Sequence, residues 1–179
     1  MSIESQPKYE RERRFLVADP SIVQGWESVL ITQAYVFARD GYAVRIRRIQ
    51  KEVRDGALIE LDATVAVKGP RIGDEREEYE TKVDNRLSAE IIARSSNVIR
   101  KRRYQVIDGP AWDIDEFLDD NAGLMIAELE GSDVRSAVMP VWASKEITYD
   151  ARYNNDELAL HPFSKWQKDG GVHDDVWDV

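Results

Sequence analysis

The stretch Tyr9–Val17, YERERRFLV, decides how the chain is read. In extended backbone, successive side chains point to opposite faces. Glu10, Glu12 and Arg14 then share one face and Arg11 and Arg13 the other, just ahead of the apolar Phe15-Leu16-Val17. A sheet with one solvated face would also alternate charged and apolar residues. One strand cannot separate that reading from a functional one, but its repetition along the chain can.

The same spacing recurs in strand after strand. Arg45 and Arg47 flank Ile46, and Lys101 and Arg103 share a face. Asp113 and Asp115 flank Ile114, Glu128 and Glu130 flank Leu129, Arg76, Glu78 and Glu80 share a face, and Lys68 closes ATVAVK. Like charges two residues apart lie roughly 6–7 Å from one another, and at an effective dielectric near 20 they repel by about 2–3 kcal/mol. A solvated face usually mixes its signs. A closed barrel with these faces turned inward accounts for the pairing, because its interior holds a basic set and an acidic set. Cations suit a multiply charged anion and carboxylates suit a hard divalent cation, which together describe a metal–polyphosphate site.

Turn signals at Asp40-Gly41, Asp55-Gly56, Gly69–Asp74, Asp108-Gly109-Pro110 and Asp120–Gly123 separate short alternating runs. Strands are expected near 9–17, 30–38, 42–51, 58–68, 76–84, 99–106, 111–118 and 124–131. Tight turns between them make the sheet antiparallel, and eight strands suffice to close a small barrel. Helices are expected over 20–28 behind Asp19-Pro20, from an N-cap at Ser88 to about Asn97, briefly after Ser132-Asp133, and from about Asp150 to Leu160. The fold class is α+β: an eight-stranded antiparallel closed β-barrel, a tunnel, with flanking helices. Residues 1–162 form one domain, and 163–179 a polar tail carrying Trp166 and Trp177. In the same register Arg11, Arg13, Arg48, Arg100 and Arg102 face outward as surface charge.

Composition narrows the chemistry. The net charge of −9 over 179 residues opposes binding to a nucleic-acid backbone, so nucleic acid is not an expected partner. There is no cysteine, and the two histidines, His161 and His173, lie apart from every pattern above, which disfavours thiolate or histidine metal sites. No apolar run is long enough to span a bilayer and the start MSIESQPK has no apolar signal region, so a cytoplasmic protein is expected. The outer barrel faces make a homodimer plausible.

In order along the chain, ERERR (10–14), TQAYV (32–36), VRIR (44–47), AVKG (66–69), REEYE (76–80), KRRY (101–104), WDIDEF (112–117), AELE (127–130) and KEITYDARYNNDELALHP (145–162) resemble the motif series of the CYTH superfamily, the triphosphate tunnel metalloenzymes. The resemblance covers about residues 9 to 162. It implies Mg²⁺- or Mn²⁺-dependent hydrolysis of triphosphates, with inorganic tripolyphosphate the expected substrate, by in-line attack of water. By this likeness Glu10, Glu12, Asp115, Glu128 and Glu130 hold metal, and Glu78 and Glu80 are further acidic tunnel residues. Arg45, Arg47, Lys68, Arg76, Lys101 and Arg103 bind the triphosphate, and Tyr35 orients Lys101. Arg14 stands where the family's ExExK motif has lysine, and an arginine keeps its proton at any useful pH. The same tunnel would suit a class IV-like adenylate cyclase, a thiamine triphosphatase, or a module that binds polyphosphate or nucleotide without turnover.

Overall fold

Strand β1 (Lys8–Val17) is the seam on which the sheet closes. The computed structural model describes residues 8–72, 75–131 and 134–166. The remaining strands are β2 (Ser28–Arg39), β3 (Tyr42–Glu52), β4 (Leu58–Ile72), β5 (Glu75–Lys82), β6 (Val98–Ile107), β7 (Ala111–Phe117), β8 (Met125–Glu130) and β9 (Ala143–Glu146). Their order is β5-β4-β3-β2-β6-β7-β8-β1-β9, and a further β5–β1 pairing closes the first eight into an antiparallel barrel. One edge of β1 pairs with β8 through Glu12–Leu16. The other pairs with β5 through Lys8–Arg11 and then with β9 through Phe15–Val17. The β2–β3 hairpin turns on Asp40 and Gly41, both with positive φ (52° and 82°). A Cβ on Gly41 would meet the Pro70 Cβ at 2.9 Å, so this turn also has no room for a larger residue.

Several local expectations are corrected. The 20–28 segment makes only one 3₁₀ turn, Pro20–Val23, capped by Asp19, before Gly25 adopts a φ of 82° and ends it. The helix α1 (Asn85–Ala93) is capped by Asp84, whose side chain accepts from the Leu87 N–H, and Ser88 is buried inside it. The 150–160 segment splits into a 3₁₀ turn, Ala151–Tyr153, and α2 (Asn155–Leu160). The short turn after 132–133 is Val134–Ser136. Phe163–Trp166 forms α3, and Trp166 packs on Tyr153 with ring centroids 5.1 Å apart. Trp177 lies outside the described residues. The four-residue β9 was not expected; it continues the β1 edge that β5 leaves after Arg11.

The main core lies outside the barrel. Phe15, Val106, Trp112, Ile114, Ala127 and Leu129 pack on Val134, Trp142 and Ala143. Trp112 meets Trp142 edge-on at 5.2 Å and Phe15 at 5.8 Å. A second cluster, Leu16, Ile99, Phe117, Leu124 and Ile126 with Ile147, Tyr153 and Leu158, fills one end of the barrel. The alternate arginines face outward as the register requires. Arg13 is held by Glu146 at 2.7 Å, Arg102 by Glu52 at 2.9 Å, Arg100 by Asp119 at 3.2 Å, and Arg11 and Arg48 by Glu75 and Glu60. No described helix is long and apolar enough to cross a membrane.

Candidate active site

The bore holds a cavity of about 280 Å³ whose walls carry nearly every site residue expected from the sequence. β1 supplies Glu10, Glu12 and Arg14; β2 Tyr35; β3 Arg45 and Arg47; β4 Lys68; β5 Arg76, Glu78 and Glu80; β6 Arg103; β8 Glu128 and Glu130. Cross-strand register brings the acidic strands together: Glu12 lies opposite Glu130, and Arg14 opposite Glu128.

Most charges are matched across the bore. Lys68 Nζ lies 2.7 Å from Glu10 Oε2 and 3.3 Å from Glu78 Oε2. Arg45 Nη2 lies 2.6 Å from Glu80 Oε2 and 3.4 Å from Glu78 Oε1, and Arg71 Nη2 donates to Glu12 Oε1 at 2.6 Å. Arg103 is the most constrained. It donates through Nε and Nη2 to both oxygens of Asp115 (2.7 and 2.6 Å), through Nη1 to Asp113 (2.7 Å), and through Nη2 to Glu128 (2.6 Å). Arg47 differs. Its hydrogen bond runs from Nε to Gln33 Oε1 at 3.4 Å, and among the described residues no carboxylate lies at ion-pair distance from it.

Ionisation follows this layout. Burial lowers the Arg47 pKa to about 10, and the like charges of Arg45 and Arg103 push the same way. Burial works against an ionised Glu128, but Lys101, Arg103, Arg14 and Lys68 outweigh it and hold the carboxyl at about 2. Glu10 is likewise opposed by burial and carried below its ordinary value by Lys68. Glu12 goes the other way: burial first, then Glu128 and Glu10, raise it. Burial also pushes the Tyr35 hydroxyl up.

Two expected site residues do not reach the cavity wall. Lys101 (1% exposed) and Asp115 (0%) form an ion pair beneath it, and Asp115 spends its oxygens on Lys101 and Arg103. Nor does Tyr35 bond to Lys101, because its hydroxyl accepts from Gln33 Nε2 at 2.9 Å. Arg14 lines the cavity but aims its guanidinium at the segment after β9. Nη1 donates to Tyr153 O (3.0 Å), and Nη2 to Thr148 O (3.1 Å) and Asn154 Oδ1 (2.8 Å). Arg76 lies on the wall with its guanidinium on the Gly69 and Gly41 carbonyls, at 2.7 and 3.1 Å.

Arg71, Asp113, Asn154, Asn155 and Asp156, with Ala43 and Ala111, complete the wall. Asp113, which alternation places on the same face as Asp115, lines the cavity where Asp115 does not. Arg71 sits past a register shift between Lys68 and Arg71 that alternation does not carry across. The 154–156 residues reach the bore only through tertiary packing.

Among the described residues, no three carboxylates converge closely enough to hold an ion as they stand. Their chemistry nevertheless fits a hard divalent cation. Glu10, Glu12, Glu128 and Glu130 are oxygen donors on adjacent strands, and burial, with the negative charge of Glu128 and Glu10 beside it, raises Glu12.

No family model matches the chain. It is 31% identical over 163 residues to an inorganic triphosphatase of Acetivibrio thermocellus, covering 89% of this chain and 98% of the relative. It is also 31% identical over 159 residues to an inorganic triphosphatase of Nitrosomonas europaea, covering 84% of this chain and 97% of that one. The crystal structure of the inorganic triphosphatase NE1496 superposes with a TM-score of 0.58 at 26% identity, over 84% of this chain and 94% of that one. These relatives match over nearly their whole length, and the closed barrel and its inward charges agree with the ordered motifs. The chain belongs to the CYTH superfamily, the triphosphate tunnel metalloenzymes, and is similar over nearly its whole length to inorganic triphosphatases of that superfamily.

Proposed function

We propose that this protein is a divalent-metal-dependent triphosphatase acting on inorganic tripolyphosphate in the charged part of its barrel. The observation that carries the reading is Arg47, an inward cation beside Arg45 and Arg103 with no carboxylate at ion-pair distance among the described residues. A cation so placed gains most from an incoming anion. The two inorganic triphosphatases that match nearly end to end support the same substrate.

Arg45, Arg47, Lys68 and Arg103 bind the phosphate chain in this reading. Arg103 arrives with its planar fork already held by Asp113, Asp115 and Glu128, so little side-chain freedom is lost when phosphate oxygens meet it. Lys101 and Asp115 are positioning residues beneath it rather than groups that touch substrate or metal. Lys68 and Arg45 now sit on Glu10, Glu78 and Glu80. Binding exchanges those carboxylates for phosphate oxygens and frees acidic groups for a cation. Glu10, Glu12, Glu128 and Glu130 would hold Mg²⁺ or Mn²⁺, which supplies polarisation of phosphoryl oxygens. Water attacks a terminal phosphorus; its oxygen ends on orthophosphate, and the bridging oxygen leaves with pyrophosphate. The cations stabilise the charge that builds on the phosphoryl oxygens. Arg14 contributes charge and architecture, not proton transfer.

The test is phosphate release from tripolyphosphate, ATP and thiamine triphosphate with Mg²⁺, Mn²⁺ or EDTA, with the ATP reactions checked for cyclic AMP. Metal-dependent release, fastest from tripolyphosphate, is expected. Cyclic AMP formation, or binding of tripolyphosphate without release, would overturn the proposal.

A further inference from the structure

Gln33 is fully buried (0% exposed) and stands behind the wall of the active cavity rather than on it. Strand β2 keeps its alternation through Gln33 and Tyr35 and shifts register only past Tyr35, so both side chains turn into the barrel. Across the ladder Gln33 faces Arg47 on β3 and Ile99 on β6, and Tyr35 faces Arg45. The mechanism above gives this amide no part, yet it touches two groups of the wall at once.

The order of donors and acceptors there has one solution. A guanidinium only donates, so the atom that Arg47 Nε meets at 3.4 Å is the carbonyl oxygen of the amide. The Gln33 NH₂ then faces Tyr35 and donates to its hydroxyl oxygen at 2.9 Å. Among the described residues that is the one hydrogen bond the Tyr35 hydroxyl makes. Its own hydrogen is left for the cavity that Tyr35 lines. Burial pushes the hydroxyl pKa up, so the hydrogen stays on the oxygen.

Other side chains of this size would not give the same result. A carboxylate would accept from both neighbours, pairing the charge of Arg47 and turning the Tyr35 hydrogen away from the bore. An apolar side chain would leave Arg47 Nε and the Tyr35 oxygen without their partner in a buried place. The neutral amide gives Arg47 an acceptor but no opposite charge, so its repulsion by Arg45 and Arg103 remains for an anion to relieve.

We propose that Gln33 is a positioning residue that sets the polarity of the phosphate site. Its neutral oxygen holds Arg47 without spending the charge, and its NH₂ aims the Tyr35 hydroxyl hydrogen into the bore, where a phosphate oxygen accepts it. The inference rests on the triphosphatase reading and deepens it: Tyr35 becomes a neutral donor to the phosphate chain.

The experiment uses the full chain with Mg²⁺ and tripolyphosphate and compares the wild type with Gln33→Glu and Gln33→Leu. Gln33→Glu keeps the shape and adds a carboxylate beside Arg47. Its KM should rise about tenfold, the size of one charge-assisted hydrogen bond, and its kcat should fall to that of Tyr35→Phe. Its urea midpoint should be no lower than that of the wild type, because the added carboxylate relieves the crowding of Arg47 by Arg45 and Arg103. A merely structural amide would give the reverse, lost stability with KM retained, and that result would overturn the proposal. Tyr35→Phe should have no further effect in the Gln33→Glu background, where the hydroxyl already points away; an equal loss of kcat in both backgrounds would overturn the aiming of Tyr35. The Arg47 Nε–H resonance, identified by its absence from Arg47→Lys, reads the contact without turnover. It should exchange with water about tenfold faster in Gln33→Leu and move downfield in Gln33→Glu. A resonance unchanged in both variants would refute the positioning whether or not tripolyphosphate is hydrolysed. A wild type that shows these NMR changes on substitution but does not hydrolyse tripolyphosphate would count only against the triphosphatase reading.

Discussion

The two ends of the bore are built from the same strands and obey the same alternation, yet one is a dense field of charge and the other an apolar plug. On β1 the inward row reads Glu10, Glu12, Arg14, Leu16, and on β6 it reads Arg103, Lys101, Ile99. The boundary is a layer of buried ion pairs, with Lys101 on Asp115 and Asp115 on Arg103. Burial stabilises the plug in proportion to the apolar area it removes from water. In the charged part burial is a cost, offset by pairing. Stability and function are thus divided along the strands rather than between domains.

The largest expected effect comes from breaking the boundary layer. Arg103→Ala leaves Asp115 and Glu128 short of a partner in a buried site, and should cost about 3–5 kcal/mol in urea unfolding as well as abolish tripolyphosphate binding. A loss below about 1 kcal/mol would mean the layer is not structural. On the plug side, Leu158→Ala should cost about 2–5 kcal/mol by opening a cavity at a residue with 0% exposure, with KM for tripolyphosphate retained in the folded protein. If KM rose in step with the loss of stability, the two regions would not be separable.

Inside the charged part, Glu128→Gln should cost about 10–100-fold in metal-dependent turnover with the fold kept. Arg47→Ala should raise KM by about tenfold, the size of one charge-assisted hydrogen bond, and leave the substrate-free protein no less stable, because like-charge repulsion with Arg45 and Arg103 is relieved. Calorimetry with and without tripolyphosphate separates the two effects. The effect of acid should be smaller. Lys101, Arg103, Arg14 and Lys68 outweigh burial and hold the Glu128 carboxyl at about 2, below its ordinary value, so its contribution to stability is present above the ordinary value and is lost as pH falls between the two. Acid unfolding of Glu128→Gln should accordingly be flatter with pH over that window. Smallest of all, Arg102→Ala, which breaks an outer pair with Glu52, should change stability by no more than about 0.5 kcal/mol.

Much of this is legible in the sequence. The strand pattern, the antiparallel closure and the inward set on β1, β3, β5 and β8 follow from alternation, because a pleated strand leaves only two faces. Arg71 was hidden because the register shift after Lys68 carries it past a stretch that reads as a turn. Four residues of β9 are too few to show alternation. Lys101 and Asp115 share their face with true wall residues, and nothing in their spacing says that they lie one layer too deep.

By itself the sequence determined which side chains face the bore and that both signs of charge meet there, since period-two alternation is a local property of the backbone. Only the tertiary structure decided which of those charges stay open to a ligand, which are spent on one another, and which end of the bore is filled. Those outcomes depend on neighbours far apart in the chain: Arg14 on the carbonyls of Thr148 and Tyr153, and Leu16 on Ile147 and Leu158. No pattern along one strand encodes a partner more than a hundred residues away.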